Sequence, residues 1–500
     1  MRKIIKFLTS KILILGLFFL LQLLFLFLVL FRLKDNSLIG VYIHMFLIIA
    51  SFLVILHLLA SDINTEFKIA WIIPISLFPI FGTFFYLFYR SNNIKPRKKA
   101  KFIKNTLKRD KYLRNNEDLL GFKEIIYLNK INWPYFRNTK TMFLDSGEEK
   151  LKQLIIDLNN AKKFIFLEYF IISKGYMYDE IINILINKAK RGVMVKIIYD
   201  DFGSADKLPF NFRKKMRALN IEAIPFNRMT IHVNFALNYR DHKKIIIIDN
   251  KIAYTGGINI GDEYINKYER FGHWKDSALR IEGEAVKSIM LSFIEIYNFS
   301  AKTKLNYEDY YYDYKIDSNE VVAPFTDNPI ENSNVMKNLL LYLINEAKTV
   351  INITTPYLII DEELSTALKL AVRSGVSVNI IIPGIPDKKL VYLVTQKNAY
   401  DLSVEGINIY KYTKGFVHSK MLVIDNSKAI IGTSNLDFRS LYLHFENNVY
   451  LYNSESIKEI NKSINKTIIE SELQTPKMLE KRSIIKRIIQ AILKGFASIL

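Results

Sequence analysis

His242-Lys-Lys244-Ile-Ile-Ile-Ile-Asp249 recurs 176 residues later as His418-Ser-Lys420-Met-Leu-Val-Ile-Asp425, so the pattern H-x-K-x4-D is present twice. Each copy runs into a glycine turn that ends on asparagine, Gly256-Gly257-Ile-Asn259 and Gly432-Thr-Ser-Asn435. One offset serves all these positions, since 418 − 242 = 176 and 435 − 259 = 176. A single copy of so short a pattern arises by chance in roughly 4% of chains with this many histidines and carries little weight. Five polar or glycine positions repeating in one register are not explained by a shared hydrophobic pattern, and they predict a duplicated domain.

The repeat extends upstream. Ala161-Lys-Lys-Phe-Ile-Phe-Leu-Glu-Tyr169 reads as a helix end entering a strand, and Arg191-Gly192-Val193-Met-Val-Lys-Ile-Ile-Tyr199 as a second strand after an intervening helix. Ala347-Lys-Thr-Val-Ile-Asn-Ile-Thr-Thr355 and Gly375-Val376-Ser-Val-Asn-Ile-Ile-Ile-Pro383 repeat that order, with 375 − 192 = 183. Strands alternating with helices predict α/β architecture. The expectation is two mixed-sheet α/β/α halves, residues 120–310 and 311–475, related by a pseudo-two-fold axis that brings the two motifs together.

Within each motif the histidine and lysine stand two apart on or beside a strand, Lys244–Ile248 and Lys420–Ile424, so their side chains project to one face. A nitrogen nucleophile and a fixed cation then share one pocket. That combination suits phosphodiester chemistry, in which an ammonium neutralises the phosphate oxygens while an imidazole attacks phosphorus or donates a proton. Glycine lets backbone amides approach an anion closely, and asparagine adds a donor. The 500 residues include no cysteine, which excludes disulfides, thiolate nucleophiles and cysteine-bound metals. No Walker-type glycine loop is present, so no nucleotide is expected. Nor does the chemistry call for a metal or other cofactor, because the lysines supply positive charge.

The formal net charge of +21 calls for an anionic partner. Three apolar runs at the start, residues 12–31, 38–60 and 69–89, each have the length of a membrane span and point to a lipid surface rather than nucleic acid. No small-x-small cleavage site follows Phe31, so the first run is read as a retained anchor and not a signal peptide. Arg90–Arg114 holds eleven Lys or Arg against Asp110 alone, which places the downstream part in the cytoplasm of a bacterial cell. Arg2, Lys3, Lys6 and Lys11 would hold the N-terminus on the same side. Three full spans do not satisfy both: either the first run crosses incompletely or the larger cluster prevails. Residues 90–119 are read as a basic linker that also suits anionic headgroups. In the tail, 476–500, Ile485, Ile488, Ile489, Ile492 and Phe496 form one helical stripe, fitting an interfacial helix or a terminal helix packed on the soluble part. His44 and His57 read as packing or bundle-polar residues, and nothing in the sequence requires His232 or His444 at the site.

The twin motifs, taken with Asn259-Ile-Gly-Asp-Glu-Tyr264, Trp274-Lys-Asp276, Thr355-Pro-Tyr357, Asn435-Leu-Asp-Phe-Arg-Ser440 and Phe445-Glu-Asn447, resemble the cardiolipin synthase branch of the phospholipase D superfamily. The resemblance runs from Ala70-Trp-Ile-Ile-Pro74 to about Tyr452. It departs from the family in the extra run at 12–31, in Lys275 where arginine is usual, and in the tail. It implies a membrane-bound enzyme in which one motif histidine becomes phosphorylated and the other acts as acid and base. By position His242 would be the nucleophile and His418 the acid/base, an assignment that a nearly symmetric site allows to be reversed. Lys244, Lys420, Asn259 and Asn435 would bind phosphate, while Asp276 and Glu446, each some 30 residues past a motif histidine, would orient the imidazoles. Asp249 and Asp425 rank below these, as holders of the motif backbone or lysine. The implied reaction joins two phosphatidylglycerols into cardiolipin and glycerol. Hydrolysis to phosphatidic acid by the same site, nuclease action and a silent lipid-binding scaffold are the alternatives. The oligomeric state is not legible.

Overall fold

The computed structural model describes residues 38–90, 96–113, 121–228, 239–310, 312–331 and 333–499, with Leu20, Leu24 and Phe27 as isolated positions. The run at 12–31 and His232 therefore lie outside the described residues. The chain divides into two compact units, one built on the helices between Leu38 and Arg90 and one on Pro96–Arg228 with Asn238–Arg487.

The first unit holds α1 (Leu38–Ala60), α2 (Thr65–Leu77) and α3 (Pro79–Arg90). The third apolar run, expected as one span over 69–89, is two helices. Phe78 breaks it at φ −133° and ψ 75°, and its amide still reaches Pro74 O at 2.9 Å. The cause is local: Pro74 removes one helical N–H, and a residue preceding proline, as Phe78 precedes Pro79, is driven out of the helical region. The halves fold back on each other around Trp71, whose ring lies 5.4 Å from Phe85 and 5.5 Å from Tyr86. Gly82 permits the contact, because a Cβ there would sit 2.4 Å from Pro74 O. α1 runs 23 residues without Asp, Glu, Lys or Arg and exposes Phe46, Ile49, Phe52, Leu53 and Leu56. Counted over residues whose side chains are described, no helix is long and apolar enough to cross a membrane.

The second unit begins with α4 (Pro96–Leu113), so residues 96–113 of the stretch read as a basic linker form a helix of the folded unit. Phe102 is fully buried against Phe299 and Phe445. The buried Arg109 pairs with Asp110 at 2.8 Å and Glu295 at 3.1 Å and lies 4.2 Å over the Trp133 ring. The positive charges seen as one cluster are thus divided: Arg109 is internal, while Arg97, Lys98, Lys99, Lys104, Lys108 and Lys111 face outward.

The strands of the first half are β1 (Thr139–Leu144), β2 (Phe164–Tyr169), β3 (Met194–Asp200), β4 (Ile221–Phe226), β5 (Arg240–Asp241), β6 (Lys244–Ile248), β7 (Ile252–Gly256), β8 (His273–Lys275) and β9 (Ala278–Gly283). Those of the second are β10 (Val321–Asp327), β11 (Val350–Thr354), β12 (Ser377–Pro383), β13 (Asn408–Tyr412), β14 (Gly415–Val417), β15 (Met421–Ile424), β16 (Lys428–Gly432), β17 (His444–Tyr452) and β18 (Ser471–Gln474). One sheet has the order β1-β9-β7-β6-β2-β3-β4 and the other β10-β17-β16-β15-β11-β12-β13, with β18 added at its edge. Strand for strand the orders are the same, and both sheets are mixed: β2, β3 and β4 pair in parallel, while β6 runs antiparallel to β2 and β7. Ile245–Ile248 are all buried because β6 is central and covered on both faces. After β6 and β15 the chain reverses through Asp249-Asn250 and Asp425-Asn426, all four at positive φ, closing bonds of 3.0 Å from Lys251 N to Ile248 O and from Ser427 N to Ile424 O. Two successive residues at positive φ are the demand of the tight hairpin turn that suits strand twist.

Candidate active site

The two sheets meet through a reciprocal exchange. β5 pairs in parallel with the start of β17, Asp241 opposite Phe445, and β14 pairs in parallel with β8, Val417 opposite Lys275. Each motif histidine, the next residue in its chain, continues this pairing: His242 N donates to Phe445 O at 2.9 Å, and His418 N to Lys275 O at 2.7 Å. The following residue on each partner strand is a carboxylate, which therefore arrives at the imidazole of the other half. His242 Nδ1 lies 2.9 and 3.0 Å from the two Glu446 oxygens, and His418 Nδ1 lies 2.6 Å from Asp276 Oδ2. The sequence pairs each carboxylate with the histidine some 30 residues before it; the fold pairs it with the other one.

Both carboxylates are fully buried and held from behind. Ser277 N donates to Asp276 Oδ1 at 2.8 Å, and the Thr433 hydroxyl donates to Glu446 Oε2. Gly257 is required for this approach, since a Cβ there would come within 2.0 Å of Asp276 Oδ1. Lys244 and Lys420 are buried, each with its Nζ donating to the carbonyl of its own motif histidine. Each ammonium is thereby held against the backbone of its own motif histidine.

Burial sets the electrostatics. His242 is held well below the usual histidine range, first by desolvation and then by Lys244, Lys420 and His418. His418 falls to about 4 from burial and Lys420, against the opposing pull of Asp276. Burial also lowers Lys244 to about 7 and Lys420 to about 8. Asp276 is kept below the ordinary carboxylate range, burial being outweighed by His418 and Lys420. The two lysines and the two histidine–carboxylate pairs act on one another within one buried cluster. Neutral imidazoles that donate Nδ1–H to a carboxylate leave Nε2 with a lone pair for attack or proton transfer.

Asp249 and Asp425, counted with the motif's catalytic residues but ranked as holders of its backbone or lysine, are not brought to the histidines. They cap the far end of the strand, about 16 Å from the lysine end at 3.3 Å per residue. Asp249 accepts from the amides of Lys162, Lys163 and Phe164 at 2.7, 2.7 and 2.8 Å, and Asp425 from those of Lys348, Thr349 and Val350 at 2.9, 2.8 and 3.0 Å. They anchor the entry of β2 and β11. Asn259 accepts from Ile171 N at 3.1 Å and donates to Tyr264 Oη at 2.8 Å, whereas Asn435 donates to Asp437 at 3.1 Å and keeps a buried Oδ1 without a partner among the described residues.

The fold adds neighbours to which the sequence assigned no role. The His418 ring lies 5.2 Å from Trp274, 5.7 Å from Tyr264 and 5.7 Å from Phe416, and the His242 ring 5.0 Å from Phe170 and 5.4 Å from His444. Tyr264 and Trp274 stand inside stretches that carry the family resemblance, which was the available signal. His444 had none, because its place follows from the β5–β17 pairing. Among the described residues, His242, His444 and Glu446 are close enough to hold a cation jointly. Glu446 is the sole carboxylate of that group, and both its oxygens are engaged with His242 and Thr433.

A phosphatidylserine synthase of Haemophilus influenzae has a similar solved structure, with TM-score 0.58 and 17% identity over 74% of this chain and 95% of that one. The likeness is of fold and agrees with a duplicated phospholipase D-type architecture. The family described as cardiolipin synthase, PLD-like domain, matches residues 154–284 and 340–468, and a phospholipase D-nuclease N-terminal segment matches 46–90. An uncharacterized protein of Streptococcus mutans is 37% identical over 89% of this chain and 99% of its own length. A cardiolipin synthase of Oceanobacillus iheyensis is 34% identical over 86% and 93%. The chain belongs to the cardiolipin synthase family of phospholipase D-like phosphatidyltransferases.

Proposed function

We propose that this protein is a cardiolipin synthase that moves a phosphatidyl group from one phosphatidylglycerol to another through a phosphohistidine, releasing glycerol. The observation that carries the reading is the pair of crossed dyads, His242 with Glu446 and His418 with Asp276, around two buried lysines. His242 Nε2 attacks the donor phosphorus, and the bond to the glycerol oxygen breaks as His418 delivers a proton to it. His418 then takes the proton of the acceptor's glycerol hydroxyl, that oxygen attacks phosphorus, and the P–N bond breaks. Lys244 and Lys420 neutralise the non-bridging oxygens throughout, and Asn435 supplies a further polar contact. A bound anionic phosphodiester offsets the lysine charges and raises His418 from its low value in the free site, so that it carries the proton it must deliver. Asp276 and Glu446 fix the tautomer.

Membrane anchoring belongs to the same reading. It is supported by the charge-free α1 with its exposed apolar side chains, by the outward lysines of α4, and by the helix Ile484–Gly495, which exposes Ile484, Ile485, Ile488 and Ile492. Both substrates are lipids, and a site at a bacterial membrane meets them by lateral diffusion. Purified protein with phosphatidylglycerol vesicles tests the function. Cardiolipin and free glycerol in equal amounts are expected; phosphatidic acid as the main product without cardiolipin would make the protein a hydrolase.

A further inference from the structure

The phosphate-binding parts of this site occur twice, once per half, but a transferase must also hold a headgroup that is not a phosphate. Where the halves differ is therefore informative. The β-bridges Ile172–Ile260 and Leu358–Leu436 are equivalent, since 436 − 260 = 176, which matches Leu358 to Ile172 and Tyr357 to Ile171. The loops after β3 and β12 correspond at the offset of 183, which matches Asp387 to Ser204. In the first half the two positions are thus Ile171 and Ser204, with the serine hydroxyl taken up by the Ile172 amide at 3.1 Å. In the second half they are Tyr357 and Asp387, joined by a 2.6 Å hydrogen bond from Tyr357 Oη to Asp387 Oδ2. The other oxygen, Asp387 Oδ1, is shielded from solvent and has no partner among the described residues. Lys388 Nζ lies 4.9 Å over the Tyr357 ring with its side chain otherwise exposed.

The pair is tied to the reacting groups. Gly384 and Ile385 both donate to Gly415 O at 3.1 Å, and β14 runs from Gly415 directly into His418. On the other side Leu436 N donates to the Thr355 hydroxyl at 3.1 Å and Ile359 N to Leu436 O at 2.8 Å, which sets Tyr357 beside Asn435. Asp387 is among the charges that act on Lys420, and Lys388 among those that act on His242. A carboxylate is poorly suited to a phosphate, which it repels. It is well suited to a hydroxyl, which donates to it, and an unpartnered buried acceptor discriminates strongly for a ligand that fills it.

We propose that Asp387 and Tyr357 form a polyol subsite that binds the middle hydroxyl of a glycerol headgroup, with Lys388 at its mouth taking the acceptor's own phosphate. This rests on the phosphatidylglycerol reading above. The middle hydroxyl sits one carbon from the oxygen that leaves the donor and one carbon from the oxygen by which the acceptor attacks, so one subsite beside His418 serves both steps.

The test uses full-length protein with cardiolipin vesicles and equal concentrations of glycerol and 1-propanol as competing acceptors, reading the ratio of phosphatidylglycerol to phosphatidylpropanol. The ratio is expected to fall at least tenfold in Asp387→Ala and about threefold in Tyr357→Phe, which keeps the ring and its packing. An unchanged ratio in Asp387→Ala, or an equal loss of both products in the two variants, overturns the subsite. Failure of the parent protein to form cardiolipin from phosphatidylglycerol would instead overturn the function, so the two failures are told apart.

Discussion

His242 Nδ1 stands 2.9 Å from Glu446 Oε1 although 204 residues separate them, and the complementary dyad joins His418 to Asp276 across 142 residues in the opposite sense. Neither half contains an oriented histidine by itself. Glu446→Gln and Asp276→Asn keep shape but present an amide that selects the wrong tautomer. By analogy with carboxylate-to-amide changes beside catalytic histidines, each should lower kcat on the order of 10²- to 10⁴-fold. The rate of cardiolipin formation measures this, and a loss below threefold in both would refute the orienting role.

The two histidines are separable by leaving group. A phosphatidyl donor carrying a p-nitrophenyl ester needs no proton on its departing oxygen. His418→Ala should therefore release p-nitrophenol in a first turnover at near the parent rate, while His242→Ala should release none. The reverse pattern would exchange the roles, and mass spectrometry of the trapped protein would place the phosphoryl group.

Burial holds Lys244 near 7 and Lys420 near 8, so raising the pH through these values removes the positive charge that the substrate phosphate meets. The free-enzyme profile, kcat/KM against pH, should fall on its alkaline side between about pH 7 and 8. Lys244→Arg keeps its charge at all these pH values, and in the activity it retains the alkaline fall should move upward, toward the Lys420 value near 8. An alkaline limb unmoved in this variant would show that another group controls it.

Asp249 and Asp425 carry structure, not turnover. Asp249→Ala orphans three backbone amides, one of them buried, and should cost about 2–4 kcal/mol. Asp425→Ala should cost less, because the amides of Lys348 and Thr349 reach water. Thermal unfolding in detergent should show the larger drop at Asp249, with kcat per folded molecule changed less than threefold. A hundredfold fall in kcat with unaltered melting would return these residues to the chemistry.

Membranes from cells making the protein should retain it through alkaline carbonate washing, which strips peripheral proteins. Release into the supernatant would show that α1 and its neighbours do not embed it.

Much of this fold was legible because duplication leaves a constant offset: the identical strand orders of the two sheets are what 176 and 183 describe. The motif strands were legible too, since four buried isoleucines in a row suit only a central strand. Partner choice was not. Which carboxylate meets which imidazole depends on β5 lying against β17 and β14 against β8, a register between distant segments that no local pattern encodes. The amide partners of Asp249 were hidden for the same reason, lying 85 to 87 residues upstream. The basic stretch hid Arg109, whose burial depends on Glu295 far along the chain, and the third apolar run hid a break that Pro74 and Pro79 in fact announce.

The reciprocal pairing of β5 with β17 also bears on synthesis. A ribosome that has just completed His242 must add 204 residues before Glu446 exists, which takes about 10 to 40 s at 5–20 residues per second. Until then His242 has no carboxylate to fix its tautomer, and through all but the last 28 of those residues His418 does not exist either. Crossing the carboxylates between the halves leaves the proposed nucleophile unoriented until the second half is nearly complete.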